Sequence, residues 1–176
     1  MMMNIFLRSY ITGFNNSMIT YISQAFGAGD YYECGEILNR NKVICTICML
    51  PMMIPLFFIG TILIMIGQPV ELSWQTQYFV RIAMPGFIAQ LHYDIYRKYL
   101  NSLRLFSSHM FIPMISLVFH YMFCYTFIAF LEMDLTGIGI VTMLQPVGNW
   151  LLIYIVVYYG QGAKYTHGIS WTACTD

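Results

Sequence analysis

Polar side chains that could bind a ligand or an ion lie within long apolar stretches of this sequence. Polar groups are costly in an apolar environment, and inside helices they usually face a bundle interior or a water-filled cavity. An imidazole among them can also exchange protons near neutral pH. The side chains best placed for these roles are Asn16, Gln90, His120, Gln145 and Asn149. Gln145 precedes Pro146, and a proline within a helix frees a backbone carbonyl that can face a cavity.

The residue types used by enzymes do not form a recognisable set. Cys45 and Cys48 have the spacing of a redox or zinc pair, but no second pair exists. Both lie near the start of an apolar stretch, where packing as small apolar residues is the simpler interpretation. We find no Ser–His–acid set, paired carboxylates or metal-ligand cluster. We therefore predict a protein that is not an enzyme, with no catalytic residue, metal site or bound cofactor.

The composition is typical of a membrane protein. Hydrophobic residues make up 59% of the 176 residues, and charged residues only 9%. A soluble domain carries about 25% charged residues, so this chain could not cover a soluble surface. The eight basic and eight acidic residues give a net charge of zero, which argues against a nucleic-acid partner. Membrane lipids are the expected surroundings.

Charge-free stretches indicate where the chain crosses the membrane. Four stretches lack Asp, Glu, Lys and Arg and exceed the roughly 20 residues that a crossing requires. They are residues 9–29, 43–70, 105–131 and 135–163. A fifth segment, 77–100, is less apolar, but its Arg81 and Arg97 could reach opposite interfaces. We predict an all-α polytopic membrane protein with spans at about 5–26, 44–67, 77–100, 109–131 and 137–159.

Basic residues between these spans predict the orientation. One face would hold the connections 27–43 and 97–108 and the tail 164–176, with six Lys and Arg, whereas the other face holds two. The face richer in Lys and Arg is normally cytoplasmic, so the amino terminus is expected outside and the carboxyl terminus inside. An outside start without a signal peptide suggests a preceding helix. Both a plasma membrane and a vacuolar or vesicular membrane fit the composition.

Two local signals concern helix ends and charges. Asp30 is expected to cap the helix that follows it, with Glu33 completing a capping box. Asp94 is expected to pair with Arg97 or Lys98 near the cytoplasmic interface rather than to form an ion site.

Several segments have a distinctive pattern. They are Ser23-Gln24-Ala25-Phe26-Gly27-Ala28-Gly29-Asp30-Tyr31, Cys34-Gly35, Leu38-Asn39-Arg40, Pro85-Gly86, the run Tyr93-Asp94-Ile95-Tyr96-Arg97-Lys98-Tyr99-Leu100-Asn101-Ser102, Leu135-Thr136-Gly137-Ile138-Gly139, Asn149-Trp150 and Ser170-Trp171. Together they resemble the multidrug and toxic compound extrusion (MATE) family of transporters in its eukaryotic form. The first segment is fairly specific for the junction of the family's second and third helices, and the others support it.

The resemblance implies a function and an incomplete architecture. The five helices would be helices two to six of a twelve-helix exporter with two six-helix lobes. Residues 1–163 would form most of one lobe, and residues 164–176 would resemble the start of the linker between lobes. The family exports organic cations and xenobiotics in exchange for H⁺ or Na⁺. His120 and Gln145 fall where some bacterial members have Asn and Thr residues, and a second lobe or another half would be missing.

Two alternatives remain open. The first is a flippase for lipid-linked oligosaccharides, which has the same architecture but would need a cationic cavity. No Arg or Lys is expected deep within these helices, which argues against it. The second is a non-transporting membrane subunit that binds a partner half.

Overall fold

A computed structural model of the chain describes residues 2–130 and 135–159. These residues form α1 (Met2–Ala28), α2 (Tyr31–Phe57), α3 (Ile59–Met65), α4 (Val70–Ser102), α5 (Phe106–Cys124) and α6 (Leu135–Tyr159). After Cys124 the helix continues as a π-helix, Tyr125–Phe130. The described residues contain no β-strand, which confirms the predicted all-α fold. The tail predicted at 164–176 and residue 131 lie outside the described residues.

Three helices are long and apolar enough to cross a membrane: Tyr31–Phe57, His109–Ile128 and Leu135–Tyr159. The helices α1 and α4, with 27 and 33 residues, have sufficient length but a more polar composition. At a rise of about 1.5 Å per residue, α4 is roughly 50 Å long and exceeds the hydrocarbon thickness. Several of its polar side chains, including Ser73 and Gln77, are buried against other helices instead of facing lipid. The chain is therefore an all-α membrane protein.

The second predicted span, 44–67, differs from the observed helices. Helix α2 begins at Tyr31, because Asp30 Oδ1 accepts a hydrogen bond from the Glu33 backbone N–H at 3.1 Å. This confirms the predicted cap. The helix ends at Phe57 after two internal prolines, Pro51 and Pro55, which cannot donate backbone hydrogen bonds. The single predicted helix is thus two helices, and most of the predicted connection 27–43 is helical.

Helix α4 lies at the centre of the bundle, in contact with α1, α2, α3, α5 and α6, and packs most extensively on α6. Gly86 makes this close packing possible, since a Cβ placed there would lie only 2.9 Å from Met143 Cα. Pro85 in α4 and Pro146 in α6 lie close in sequence to this contact. The expected Pro85-Gly86 feature therefore falls where the two helices touch.

The outer face of α5 carries large exposed apolar side chains. Among them are Phe111, Met114, Leu117, Val118 and Tyr121. Such a continuous apolar surface is suited to lipid or to another membrane segment and not to water. The inner faces of the helices bury an apolar core that includes Ile22, Leu38, Tyr99, Leu100 and Ile153. The described helices thus combine an apolar core with a largely apolar outer face on α5.

Candidate functional site

A cavity of about 280 Å³ between α5 and α6 contains three of the five candidate residues. His120 comes from α5, and Gln145 and Asn149 come from α6. The remaining lining residues are Ser116, Phe119, Phe123, Leu144, Gly148, Leu151 and Leu152. The α5 residues follow the i, i+3, i+4, i+7 spacing of one helix face. Because Phe119, Leu151 and Leu152 at its rim are exposed, the cavity opens on one side of the bundle.

Two polar atoms in this cavity have no hydrogen-bond partner in the described part of the chain. They are Asn149 Oδ1 and His120 Nδ1. The Asn149 side chain belongs to a residue that is only 8% exposed, and buried polar atoms are normally hydrogen-bonded. The other ring nitrogen, His120 Nε2, lies 3.7 Å from Cys124 Sγ. Two residues that line the cavity therefore each carry a buried polar atom without a hydrogen bond in the described part of the chain.

Most of the cavity wall is apolar and aromatic. The rings of Phe119 and Phe123 stack with centroids 6.3 Å apart and planes inclined by 29°. No residue lining the cavity carries a formal charge, and His120 is its titratable group. Pockets that combine apolar walls with a few polar groups bind amphipathic small molecules, with the polar groups fixing orientation.

The π-helix Tyr125–Phe130 follows His120 and Cys124 directly. Short π-helical turns in α-helices are frequent at functional sites. The π-helix and the two phenylalanines of the wall were not predicted from the sequence, whereas Ser116 was recognised as a polar residue of the same span as His120. The helical spacing of Ser116, Phe119, His120 and Phe123 was the signal that could have revealed the two phenylalanines.

The other two candidates, Asn16 and Gln90, lie elsewhere, in a polar network between α1 and α4. Gln90 Nε2 donates to Asp94 Oδ2 at 3.1 Å. Asn16 Oδ1 accepts a hydrogen bond of 2.9 Å from Lys98 Nζ, which also donates to the Thr12 carbonyl at 3.2 Å. The Asn16 bond joins α1 to α4, whereas the Gln90 bond lies within α4, and neither residue lines the cavity.

The charge pair expected at Asp94 is present, since its Oδ1 lies 3.3 Å from a guanidinium nitrogen of Arg97. A second polar contact joins α1 to α2, where Asn41 Nδ2 donates to Asn15 Oδ1 at 2.9 Å. Cys45 Sγ lies 3.6 Å from oxygens of both asparagines. Cys45 therefore belongs to a buried helix contact, and Cys45 and Cys48 are not joined by a disulfide.

The carbonyl freed by Pro146 does not face the cavity. It belongs to Thr142, four residues earlier, and it packs against α4 so closely that a Cβ on Gly86 would lie 3.3 Å from it. Thr142 is absent from the cavity wall. The expectation that this carbonyl lines a site is therefore wrong, because the helix contact at Gly86 covers it.

Comparison with known proteins decides the family. The family model MatE matches residues 1–126, which include all of α1 to α5. The chain belongs to the MatE family. This MatE chain is 28% identical over 150 residues to Protein DETOXIFICATION 49 of Arabidopsis thaliana, covering 84% of the chain and 30% of that relative. It is 25% identical over 165 residues to Multidrug and toxin extrusion protein 1 of Xenopus tropicalis, covering 94% of the chain and 29% of that relative.

The MatE chain spans about 30% of the length of these two curated relatives. The resemblance found in the sequence motifs is confirmed. At the level of the family, the chain is related to multidrug and toxin extrusion transporters, which are membrane proteins and not enzymes. The family match includes His120 and ends before Gln145 and Asn149.

Proposed function

We propose that this chain forms part of a secondary transporter that exports small organic cations or other xenobiotics in exchange for H⁺ or Na⁺. The cavity between α5 and α6 would be part of its substrate pathway. The observation that carries the proposal is the pair of buried polar atoms without partners among the described residues, Asn149 Oδ1 and His120 Nδ1, on two residues that line a largely apolar cavity. Buried polar atoms of this kind are retained at a cost in stability, which a role in binding would explain.

The chemistry of the cavity suits amphipathic xenobiotics. Its two phenylalanines offer ring faces, which can contact an aromatic compound or attract the positive charge of an organic cation. Gln145 and Asn149 supply amide groups that can donate and accept hydrogen bonds. His120 supplies an imidazole ring, whose nitrogens can donate or accept a hydrogen bond.

The remainder of the pathway is proposed to come from a second lobe or from another half-transporter. In support, the chain corresponds to about 30% of the length of each of the two relatives. We propose a plasma or vesicular membrane, with the carboxyl end of α6 on the cytoplasmic side. In support, Lys42 of α2 contacts Tyr96 of α4 and Tyr158 of α6, so a basic residue lies beside the carboxyl end of α6.

Binding of ethidium to the full chain in lipid nanodiscs tests the cavity. We expect His120→Ala, Gln145→Ala and Asn149→Ala each to weaken ethidium binding by about twofold to twelvefold, the range for one hydrogen bond. Thr142→Ala is the matched control, since this polar residue lies on α6 outside the cavity wall. Equal affinity in all four variants and the parent would remove the cavity from the proposal.

Transport itself requires a separate measurement. Cells that lack their own exporters would express the chain, and ethidium efflux would be followed under imposed H⁺ or Na⁺ gradients. We expect efflux to depend on one of these gradients when the missing half is supplied. Efflux that ignores both gradients under every condition would contradict the antiport mechanism.

A further inference from the structure

Lys42 lies half-buried among helices and not in an exposed connection. The residue belongs to α2, and its ammonium group reaches between α4 and α6. Nζ donates to the hydroxyl oxygens of Tyr96 at 3.4 Å and of Tyr158 at 3.2 Å. The centroids of the two rings are 5.3 and 5.9 Å away, so the ammonium lies nearer the hydroxyl groups than the ring centres.

The positive charge of Lys42 has no carboxylate partner within the described ranges, 2–130 and 135–159. Two carboxylates, one on the same helix and one on α4, are engaged elsewhere. Glu36 pairs with Arg40 at 2.7 Å, and Asp94 accepts from Gln90 and pairs with Arg97. A half-buried charge without a counter-charge is costly, so an anion bound from outside the described chain would be stabilising.

In the cluster of Lys42, Tyr96 and Tyr158, hydrogen-bond donors also outnumber the acceptors available to them. The ammonium group has three N–H donors and no acceptor, and the two tyrosine oxygens use two of these donors. Tyr96 and Tyr158 also hydrogen-bond to each other, with Tyr96 donating, so one N–H donor of Lys42 and the hydroxyl proton of Tyr158 remain. Donors that converge around a positive charge are the recognition pattern for a phosphate oxygen.

The cluster lies where the spans predicted from the sequence begin and end. Lys42 directly precedes the charge-free stretch 43–70, and Tyr158 lies in the last described turn of α6. On α4, Tyr96 is followed by Arg97 and Lys98. Lysine and tyrosine are enriched at this depth, beside the lipid headgroups. The phosphate available there in highest concentration belongs to the phospholipids themselves.

We propose that Lys42 and the hydroxyl group of Tyr158 bind the phosphate group of an anionic phospholipid, while the buried Tyr96 hydroxyl holds both of them in place. The bound headgroup neutralises Lys42 and bridges α2 and α6, because each of these helices contributes one of the two ligands. This site is separate from the cavity between α5 and α6, and its occupancy does not depend on what the protein transports.

Lipid binding to the purified full chain tests this proposal. Native mass spectrometry would measure the affinity for phosphatidylglycerol and phosphatidylcholine in neutral detergent. We expect the parent to prefer phosphatidylglycerol, and Lys42→Gln to weaken phosphatidylglycerol binding by about fivefold, the contribution of one basic residue near an anionic surface. Lys42→Arg should retain most of the affinity. Arg40→Gln is the matched control, since it removes an exposed charge that is already paired with Glu36.

A second variant protects the test against misfolding. Tyr158→Phe keeps the ring and removes only the hydroxyl group, and it should weaken phosphatidylglycerol binding while helicity is unchanged. Equal phosphatidylglycerol affinity in the parent, Lys42→Gln and Tyr158→Phe would overturn the proposal. Displacement of the lipid by equimolar soluble glycerol phosphate would overturn the lipid as the ligand, since the site would then bind free phosphate compounds.

Discussion

Replacing Gly86 by alanine tests the close contact between α4 and α6. An added methyl group would lie 2.9 Å from Met143 Cα and 3.3 Å from the carbonyl oxygens of Met143 and Thr142. All three are backbone atoms, so no side-chain rotation can relieve the clash. The two helices would have to move apart along their shared surface.

The expected magnitude follows from two opposing terms. Alanine is better than glycine in a helix by about 1 kcal/mol, which favours the variant. Overpacking of a tight contact costs about 1–3 kcal/mol, and we expect the upper part of this range because backbone must move. The net effect of Gly86→Ala is a loss of about 1–2 kcal/mol in the free energy of unfolding.

A control in the facing helix separates the two terms. Gly148 lies in α6 with no atom within 4 Å of an added Cβ, so Gly148→Ala should stabilise by about 1 kcal/mol. The difference between the two variants is then the overpacking term alone. Unfolding would be followed by circular dichroism during titration of the detergent-solubilised protein with sodium dodecyl sulfate. Equal unfolding midpoints for the two variants would refute the close approach of α4 and α6.

Three further predictions concern single hydrogen bonds, each in a different part of the bundle. Asn15→Ala removes the buried contact with Asn41 and should cost about 0.6–1.7 kcal/mol in the same unfolding titration. Asp30→Ala removes the cap of α2 and should cost about 1 kcal/mol by that measurement. Gln77→Ala removes the side-chain acceptor that binds the Gly60 N–H at 3.1 Å, and should speed amide hydrogen exchange in α3 by about fivefold.

Each of these three predictions has its own control variant. In a double-mutant cycle, Asn15→Ala and Asn41→Ala together should lower the free energy of unfolding by about as much as either variant alone, because both remove the same hydrogen bond. Asp30→Asn keeps a capping oxygen and should be nearly neutral. Thr76 is the neighbour of Gln77, and its hydroxyl donates a hydrogen bond within its own helix. Thr76→Ala should therefore leave amide hydrogen exchange in α3 unchanged. A response of α3 to Thr76→Ala equal to that of Gln77→Ala would contradict the assigned role of Gln77.

Much of the fold could be predicted because the length of each apolar stretch can be read from the sequence. The five predicted spans fall on helices, and the cap at Asp30 is present. The start of α2 could not be placed correctly, because absence of charge marks the apolar part of a helix and not its end. Residues 31–42 carry charges yet remain helical, since Glu36 and Arg40 pair along the helix surface.

The candidate site was predicted in part for a related physical reason. Polarity inside an apolar stretch shows that a side chain avoids lipid, but it does not show which neighbour it faces. His120, Gln145 and Asn149 share one cavity, whereas Asn16 and Gln90 bond within and between α1 and α4. That distinction depends on how each helix is rotated, which is set by packing such as the contact at Gly86.

The hydrogen bond between Lys42 and Tyr158 joins residues that are 116 positions apart in the chain. At a synthesis rate of 5–20 residues per second, Tyr158 would be made roughly 6–23 s after Lys42. During that interval Lys42 must be solvated by water, by lipid headgroups or by the insertion machinery. The hydrogen bonds of Lys42 to α4 and α6 can therefore form only after both helices have been synthesised. The last described helix, α6, thus completes the surroundings of a residue in α2.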